Sequence, residues 1–198
     1  SDAVYTLKET KAPTGYQLDA TVYPLKTSYS HYSEADNHIA LTVSDQVITG
    51  KIQVSKYARN QVAGTRQPED GAVFRVWLKS AGSYDKAKDS ERDMITAGKD
   101  GKGTSKDLPY GTYCLQQVSG WTGYDLDETI YEAAITVHGK TVTADTSGNQ
   151  LELHNNIWTG KLTIRKVDGD TQEPLANAMF TLTGSDGSKQ VVGTDGNG

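Results

Sequence analysis

The chain repeats itself, and the order of its repeats constrains the fold more than any other feature. The segment TGKIQVSK, residues 49–56, matches TGKLTIRK, residues 159–166. The segment YTLKETKAPTGYQLDATVY, residues 5–23, matches YCLQQVSGWTGYDLDETIY, residues 113–131. Because the two members of each pair lie roughly one hundred residues apart, the repeat has the size of a β-sandwich domain.

Two further pairs of segments follow the same spacing. The segment DGAVFRVWL, residues 70–78, is similar to ANAMFTLTG, residues 176–184. The segment IALTVSDQVITG, residues 39–50, is similar to NQLELHNNIWTG, residues 149–160. Every repeated segment therefore belongs either to the early part or to the late part of one module.

The order of the segments predicts the domain organisation. Residues 50–159 carry each segment once, which predicts one complete module. Residues 1–49 carry only late segments and are predicted to form the C-terminal half of a module. Residues 160–198 carry only early segments and are predicted to form the N-terminal half of another. A piece of a tandem array, a trimmed fragment and a permuted chain would all give this order.

The composition indicates an all-β fold. Hydrophobic residues make up 35% of the 198 residues, and the chain holds 20 Gly and 11 Tyr. Thr and Val recur in short runs, which is typical of many short strands separated by turns. We therefore predict tandem Ig-like β-sandwich modules, with no segment apolar enough to span a membrane.

Charge and reactive residues exclude several classes of function. The formal net charge of −5 disfavours a nucleic-acid partner or an anionic membrane. Cys114 is the only cysteine, so an intrachain disulfide is impossible. The four His residues lack metal-site spacing, and no phosphate loop or Ser/His/Asp signature occurs. The sequence predicts no metal and no cofactor.

Polar residues end the apolar face of several predicted strands. Because side chains alternate between the two faces of a strand, residues i, i+2 and i+4 share a face. A single polar strand end usually meets solvent. Here Lys, Glu and Asp or Asn recur at matched positions of the repeats, which favours a shared role. The sets are Ile52, Val54 and Lys56; Leu162, Ile164 and Lys166; Tyr5, Leu7 and Glu9; Leu41, Val43 and Asp45; and Leu151, Leu153 and Asn155.

These residue types are the ingredients of a spontaneous amide cross-link. Burial lowers the pKa of a Lys amine, which is a nucleophile only when neutral. The side-chain carbonyl of Asn or Asp is the electrophile, and a buried protonated carboxyl moves the protons. Fixed positions replace a collision, which lowers the barrier by on the order of several kcal/mol. An Asn partner releases ammonia, and an Asp partner releases water.

At this point the sequence resembles a known family. YTLKETKAPTGY, residues 5–16, resembles the E-box, Tyr-x-Leu-x-Glu-x-x-x-Pro-x-Gly-Tyr, of the CnaB or SpaA-type domains of Gram-positive pilins and surface adhesins. GKIQVSK and GKLTIRK resemble the family's first strand with its cross-linking Lys. Asp45 and Asn155, each five residues before a Gly, resemble the last-strand partner. The resemblance covers essentially the whole chain.

The resemblance implies a prealbumin-like β-sandwich whose first and last strands are joined by an isopeptide bond. Lys56 with Asn155, and Lys166 with Asp45, would be the cross-linked pairs, with Glu9 as the E-box proton shuttle. The implied function is a structural stalk or shaft module of a cell-wall-anchored adhesin or pilus, outside the cell. The implied partners are neighbouring modules or further copies of the protein, joined head to tail.

The complete module departs from the family pattern. Gln117 stands where the E-box has Glu, and Trp121 stands where it has Pro. Gln cannot move a proton as Glu does, so Lys56 and Asn155 are either aligned but unlinked or assisted by another carboxyl. Glu69 and Asp70, next to a core strand, are candidates for another assisting carboxyl.

Two rival functions remain open on the sequence. An adhesin would bind a host matrix protein or a glycan, and the polar segment at residues 83–99 is then the first place to look. Its middle, residues 84–94, is predicted to be a loop, with a short exposed helix as the alternative. A covalent capture domain would act through Cys114, because CLQQ has the Cys-x-x-Gln spacing of internal thioesters. Alternation places Cys114 and Gln117 on opposite faces, which favours a free surface thiol instead.

Overall fold

A computed structural model describes residues 3–27, 40–184 and 187–198. The chain divides into two compact units, Ser1–Trp158 and Thr159–Gly198. The strands, in chain order, are β1 (Ala3–Lys8), β2 (Val22–Thr27), β3 (Thr49–Asn60), β4 (Thr65–Pro68), β5 (Val73–Leu78), β6 (Arg92–Thr96), β7 (Lys102–Thr104), β8 (Leu108–Pro109), β9 (Gly111–Ser119), β10 (Ile130–Ile135), β11 (Thr141–Val142), β12 (Glu152–Asn156), β13 (Met179–Thr183) and β14 (Lys189–Gly193). Two short 3-10 helices, Lys79–Ala81 and Asp89–Glu91, lie between β5 and β6. The predicted all-β class is confirmed.

The long strand β3 organises the first sheet of residues 49–158. It pairs in parallel with β11 and β12 and antiparallel with β4, β7 and β8. Its residues alternate between buried and half-buried along most of its length, as the sequence predicted. Because β12 is the last strand of this part of the chain, the first and last strands lie side by side.

The second sheet has the strand order β10-β9-β5-β6, and all its pairs are antiparallel. The main core consists of buried side chains from both sheets, which include Ile52, Val54, Phe74, Val76, Ile95, Leu108, Tyr113, Leu115, Ala133, Ile135, Leu151 and Leu153. The two sheets therefore bury their apolar faces against one another, as in a β-sandwich.

The N-terminal part of the first unit contains one antiparallel strand pair, β1 with β2. Gly15 accepts a hydrogen bond from Ile48 and lies against the ring of Tyr110. Several apolar side chains of this part are exposed, namely Val4, Tyr5, Leu7, Leu41 and Val43. These residues therefore lack the apolar cover that the core provides to residues 50–158.

The second unit contains the antiparallel pair of β13 and β14. The Lys166 N–H donates to the carbonyl of Gly198 over 2.6 Å, and Leu175 donates to the Lys166 carbonyl over 2.9 Å. Its apolar side chains are also largely exposed, namely Leu162, Met179, Leu182 and Val191.

Some local predictions are wrong. Residues 92–94, at the end of the segment predicted to be a loop, belong to β6, because Ile95 enters the core opposite Phe74. Leu41 to Asp45 and Leu162 to Lys166 are not in β-strands. In the complete module the corresponding segments pair with one another as β12 and β3, and the separate halves lack that partner within their own segments.

Candidate functional site

Lys56 lies in the middle of β3 and points into the sandwich. Its side chain is 0% exposed, and it follows Ile52 and Val54 on the same buried face. The predicted facing of Lys56 is therefore correct. The Nζ atom makes no hydrogen bond among the described residues. A buried amine without a hydrogen-bond partner is costly as a cation, so burial shifts this amine toward its neutral form.

Glu69 lies opposite Lys56, at the residue after β4. Its main-chain N–H donates to the Lys56 carbonyl over 3.0 Å, which continues the antiparallel pairing of β3 and β4. This register turns both side chains toward the same face. Glu69 is 0% exposed, and its Oε2 atom lies 3.5 Å from Lys56 Nζ. An amine and a carboxyl are thus enclosed side by side in the core.

Asn155 reaches the same place from β12. Its side chain is 2% exposed, and its Nδ2 atom donates to Glu69 Oε1 over 3.4 Å. Its Oδ1 atom accepts a hydrogen bond from the main-chain N–H of Asp127 over 3.2 Å. A donor at the carbonyl oxygen polarises the amide and stabilises negative charge that develops there during attack.

Gln117 borders the site but does not join Lys56 to Asn155. The side chain is 4% exposed, and its Nε2 atom donates to the Ser119 carbonyl over 3.0 Å. Its Oε1 atom makes no hydrogen bond among the described residues. The amide therefore lies at the E-box position without taking part in the Lys56–Glu69–Asn155 contacts.

Burial sets the protonation of Lys56. Loss of solvation lowers the pKa of Lys56 to about 8 from its ordinary 10.5, against the opposing attraction of Glu69. The neutral amine is thus more populated near neutral pH than it is for a solvated lysine, although the protonated form still predominates. The Asp127 carboxylate, also close to Lys56, has a lowered pKa although burial acts to raise it, because Thr129 and Tyr131 donate hydrogen bonds to it.

The remaining predicted site residues lie elsewhere. Glu9 is half-buried, and its Oε2 atom accepts a hydrogen bond from the Asp19 N–H over 2.7 Å. Asp45 is half-buried and Lys166 is exposed. Glu9 and Asp45 belong to the first unit and Lys166 to the second, and their predicted cross-link stays a prediction.

Cys114 is not the surface thiol that the sequence predicted. It is 8% exposed and packs with Trp77 and Ala87 in a small cluster separate from the main core. Burial raises the pKa of its thiol. Gln117 lies on the opposite, core-facing side of β9. This arrangement disfavours both a reactive thiolate and a Cys-Gln thioester.

Within residues 3–27, 40–184 and 187–198, no group of His, Cys, Asp and Glu is arranged to hold a metal ion. In the same ranges, no helix has the length and apolar character needed to cross a membrane.

The fold corresponds to a known class of β-sandwich. The family described as SpaA, prealbumin-like fold domain, matches residues 50–150 and 160–198. The chain belongs to this family, which confirms the resemblance drawn from the sequence. None of the curated proteins compared with the chain matches it.

Solved structures with similar folds include three proteins of Gram-positive bacteria. The Bacillus anthracis TIE protein is 22% identical with a TM-score of 0.70, over 100% of this chain and 33% of that one. The minor pilin GBS52 of Streptococcus agalactiae is 18% identical with a TM-score of 0.44, over 79% and 66% of the two chains. The shaft pilin SpaA of Lactobacillus rhamnosus GG is 20% identical with a TM-score of 0.37, over 71% and 62%. The chain thus spans a third of the length of the first of these.

Glu69 is the site residue that sequence reasoning weighted too lightly. The prediction named it beside Asp70 as a possible substitute for the E-box Glu, without placing it opposite Lys56. The signal was present in the repeat, since the matching segments align Pro68 with Pro174 and therefore Glu69 with Leu175. A Glu at a position that is apolar in another copy is a candidate for a buried functional carboxyl.

Proposed function

We propose that the chain is a structural segment of a stalk or shaft in a cell-surface adhesin or pilus of a Gram-positive bacterium. Its membership of the SpaA prealbumin-like family and its tandem repeats support this role. Modules of one kind in series suit a protein that must span a distance.

The proposal includes an isopeptide bond between Lys56 and Asn155. The observation that carries it is the position of the buried Glu69 carboxyl, which lies 3.5 Å from Lys56 Nζ and 3.4 Å from Asn155 Nδ2 where β3 and β12 pair. A buried Lys56–Glu69 ion pair that did not react would add little to the free energy of unfolding, because the cost of desolvating the two groups offsets their attraction. Conversion of the amine to an amide removes one buried charge.

The reaction balances without a cofactor. The neutral Lys56 Nζ attacks Asn155 Cγ and forms the new C–N bond, while the bond from Cγ to Nδ2 breaks. Nζ loses one proton, Nδ2 gains one, and ammonia leaves. The site reacts once, so this is autocatalytic cross-linking and not turnover.

Intact-mass measurement of the denatured protein tests the bond. The expected mass is lower than the sequence mass by one ammonia, with a Lys56–Asn155 branched peptide in the digest. Lys56→Met should restore the sequence mass, and Lys51→Met, at an exposed lysine, should not. An undiminished mass in the wild type would exclude the bond.

The half-modules support a second proposal, head-to-tail covalent polymerisation. Residues 1–49 and 160–198 both expose apolar side chains that matched segments bury in the complete module. Association of these segments between copies would cover them, place Lys166 with Glu9 and Asp45, and allow an amide to form with loss of water. Exposed unpaired strands favour such association.

Denaturing electrophoresis at high protein concentration tests polymerisation. A ladder of covalent multimers should disappear with Lys166→Ala and persist with Lys161→Ala. Monomers alone after long incubation would contradict it.

Binding of a host matrix protein or a glycan stays the alternative function. Of the segment that the sequence pointed to, residues 83–91 contain a short 3-10 helix and residues 92–96 are β6. Arrays of matrix proteins and glycans, probed with the whole chain, test this alternative directly.

A further inference from the structure

The complete module lacks the E-box Glu, yet a carboxyl occupies its site. Glu69 Oε2 faces Lys56 Nζ at 3.5 Å, and Glu69 Oε1 faces Asn155 Nδ2 at 3.4 Å. One oxygen of the carboxyl thus lies near the attacking nitrogen, and the other lies near the leaving nitrogen. This is the geometry that a proton shuttle requires.

The first copy of the E-box has the opposite arrangement, and its turn contains the same main-chain hydrogen bond as the turn of the second copy. Tyr16 donates to the Pro13 carbonyl, as Tyr124 donates to the Trp121 carbonyl. These bonds make Pro13 the counterpart of Trp121, and they place Glu9 at the position of Gln117. The carboxyl therefore stands in the E-box in the first copy.

The second unit contains the residue that corresponds to Glu69 in another copy of the repeat. Leu175 donates its N–H to the Lys166 carbonyl over 2.9 Å, as Glu69 donates to the Lys56 carbonyl over 3.0 Å. Leu175 is thus the counterpart of Glu69. The position after β4 is apolar in the copy whose Lys is Lys166, and acidic in the copy whose E-box has Gln.

Two more departures of the complete module fit the Glu69 side chain. The main-chain N–H of Trp121 donates to Glu69 Oε1 over 2.7 Å. Its first-copy counterpart, Pro13, has no N–H and cannot make this bond. Trp121 also donates from its indole to the Asp70 carbonyl over 2.8 Å, which fixes the segment that carries Glu69.

Gly120 provides the space for the Glu69 carboxyl. A Cβ atom at Gly120 would lie 2.4 Å from Glu69 Oε1 and 2.8 Å from Asn155 Nδ2. The counterpart in the first copy is Ala12, next to Pro13. At each of these four positions, Glu69, Gln117, Gly120 and Trp121, the complete module differs from the half-copy that carries the counterpart, and one change in the position of the carboxyl accounts for all four differences.

We propose that Glu69 is the catalytic carboxyl of the complete module, moved from the E-box to the residue after β4, with Trp121 and Gly120 as its positioning residues. The proposal rests on the proposed Lys56–Asn155 bond. Glu69 takes a proton from Nζ through Oε2 as the C–N bond forms. It gives a proton to Nδ2 through Oε1 as ammonia leaves, and the carboxyl ends in its starting protonation state.

Substitution of the carboxyl is the first test. Newly purified full-length protein is followed by intact mass over days for wild type, Glu69→Gln and the control Glu132→Gln, a partly exposed carboxylate paired with Lys79. Glu69→Gln preserves size and should slow ammonia loss by about 100-fold or more, the typical contribution of a positioned acid–base. Glu132→Gln should react as wild type does.

A rescue variant separates catalysis from folding. The combination Glu69→Leu, Gln117→Glu, Gly120→Ala and Trp121→Pro copies the residues of the other two copies into this module. It should lose ammonia again, whereas the same combination without Gln117→Glu should not. Thermal unfolding of each variant reports whether it is folded.

The outcomes separate the two proposals. Ammonia loss from the wild type but not from Glu69→Gln, with recovery in the rescue variant, supports the relocation. Ammonia loss at the wild-type rate from Glu69→Gln overturns it and leaves the bond itself standing. No ammonia loss from the wild type overturns both the bond and the role of Glu69.

Discussion

Glu69 and Lys56 are joined twice, once through the main chain and once through their side chains. The Glu69 N–H donates to the Lys56 carbonyl over 3.0 Å, and the carboxyl lies 3.5 Å from the amine. Because the main-chain pairing fixes the register, the two side chains meet without the flexibility of a surface ion pair. A loop position is thereby held as firmly as a strand position.

The first prediction concerns the stability that the cross-link provides. Lys56→Met should lower the free energy of unfolding, because the bond closes a ring of about one hundred residues and such closure is worth about 5 kcal/mol in the chain-entropy description. Guanidinium unfolding with Lys51→Met as the matched control measures this. Equal midpoints for all three proteins would contradict the prediction.

The second prediction concerns pH. Asn155→Ala keeps the amine free, and burial lowers the pKa of Lys56 to about 8 from 10.5. Between these pH values the unfolded chain binds more protons at Lys56 than the folded protein does, so stability should rise with pH, by about 3 kcal/mol across the window. Below pH 8 the contribution of this residue should be flat.

Urea unfolding at a series of pH values measures this rise. The double variant Asn155→Ala with Lys56→Met is the control, because it removes the titrating amine and retains every other titrating group. Parallel pH profiles for the two proteins would show that Lys56 does not titrate in this window.

The third prediction isolates the main-chain donor of Trp121. Trp121→Pro should lower the free energy of unfolding of the protein before cross-linking by about 1–3 kcal/mol, because Glu69 Oε1 loses its 2.7 Å partner. For the same reason, it should slow ammonia loss. Trp121→Phe keeps the N–H and should cross-link faster than Trp121→Pro. Mass spectrometry over time compares the two, and indistinguishable rates would refute a role for the N–H.

The fourth prediction concerns space. Gly120→Ala should slow cross-linking, because its methyl group would displace Glu69 Oε1 and Asn155 Nδ2 from their present contact. Gly160→Ala is the control, since a Cβ there meets nothing within 4 Å. The rate of ammonia loss is the measurement, and a wild-type rate in Gly120→Ala would argue against the tight fit.

The fifth prediction concerns Cys114. Its thiol is buried and burial raises its pKa, so a maleimide should label it slowly in the native protein and fully in denaturant. Methylamine should add no mass, because Gln117 faces away from it. Rapid native labelling or methylamine incorporation would restore the covalent-capture hypothesis.

Much of the site could be predicted from period-two alternation alone. The facing of Lys56 and Asn155 follows from their apolar neighbours at i−2 and i−4, and both side chains are buried as predicted. Repeat order and the E-box were sufficient to predict the all-β, prealbumin-like family. These features depend on local pattern, which a sequence records directly.

The position of Glu69 could not be predicted in this way, because it depends on pairing between β3 and β4 and on a hydrogen bond from Trp121, more than fifty residues away. Alternation says nothing about a residue that follows a strand. The strand β6 was missed for a similar reason, since Ile95 is the only buried residue of this strand. Residues 41–45 and 162–166 do not form their predicted strands, because a strand needs neighbouring strands as well as an alternating pattern.

The parallel pairing of β3 with β12 has a mechanical consequence. The chain enters at the start of β3 and leaves at the end of β12, so entry and exit lie at opposite ends of one strand pair. Once Lys56 and Asn155 are joined, a pulling force is transmitted from one strand to the other through that covalent bond. The residues between Lys56 and Asn155 do not bear the force. Insertions among these residues, such as the one between β5 and β6, can therefore lengthen or change without extending the part of the chain that bears the force.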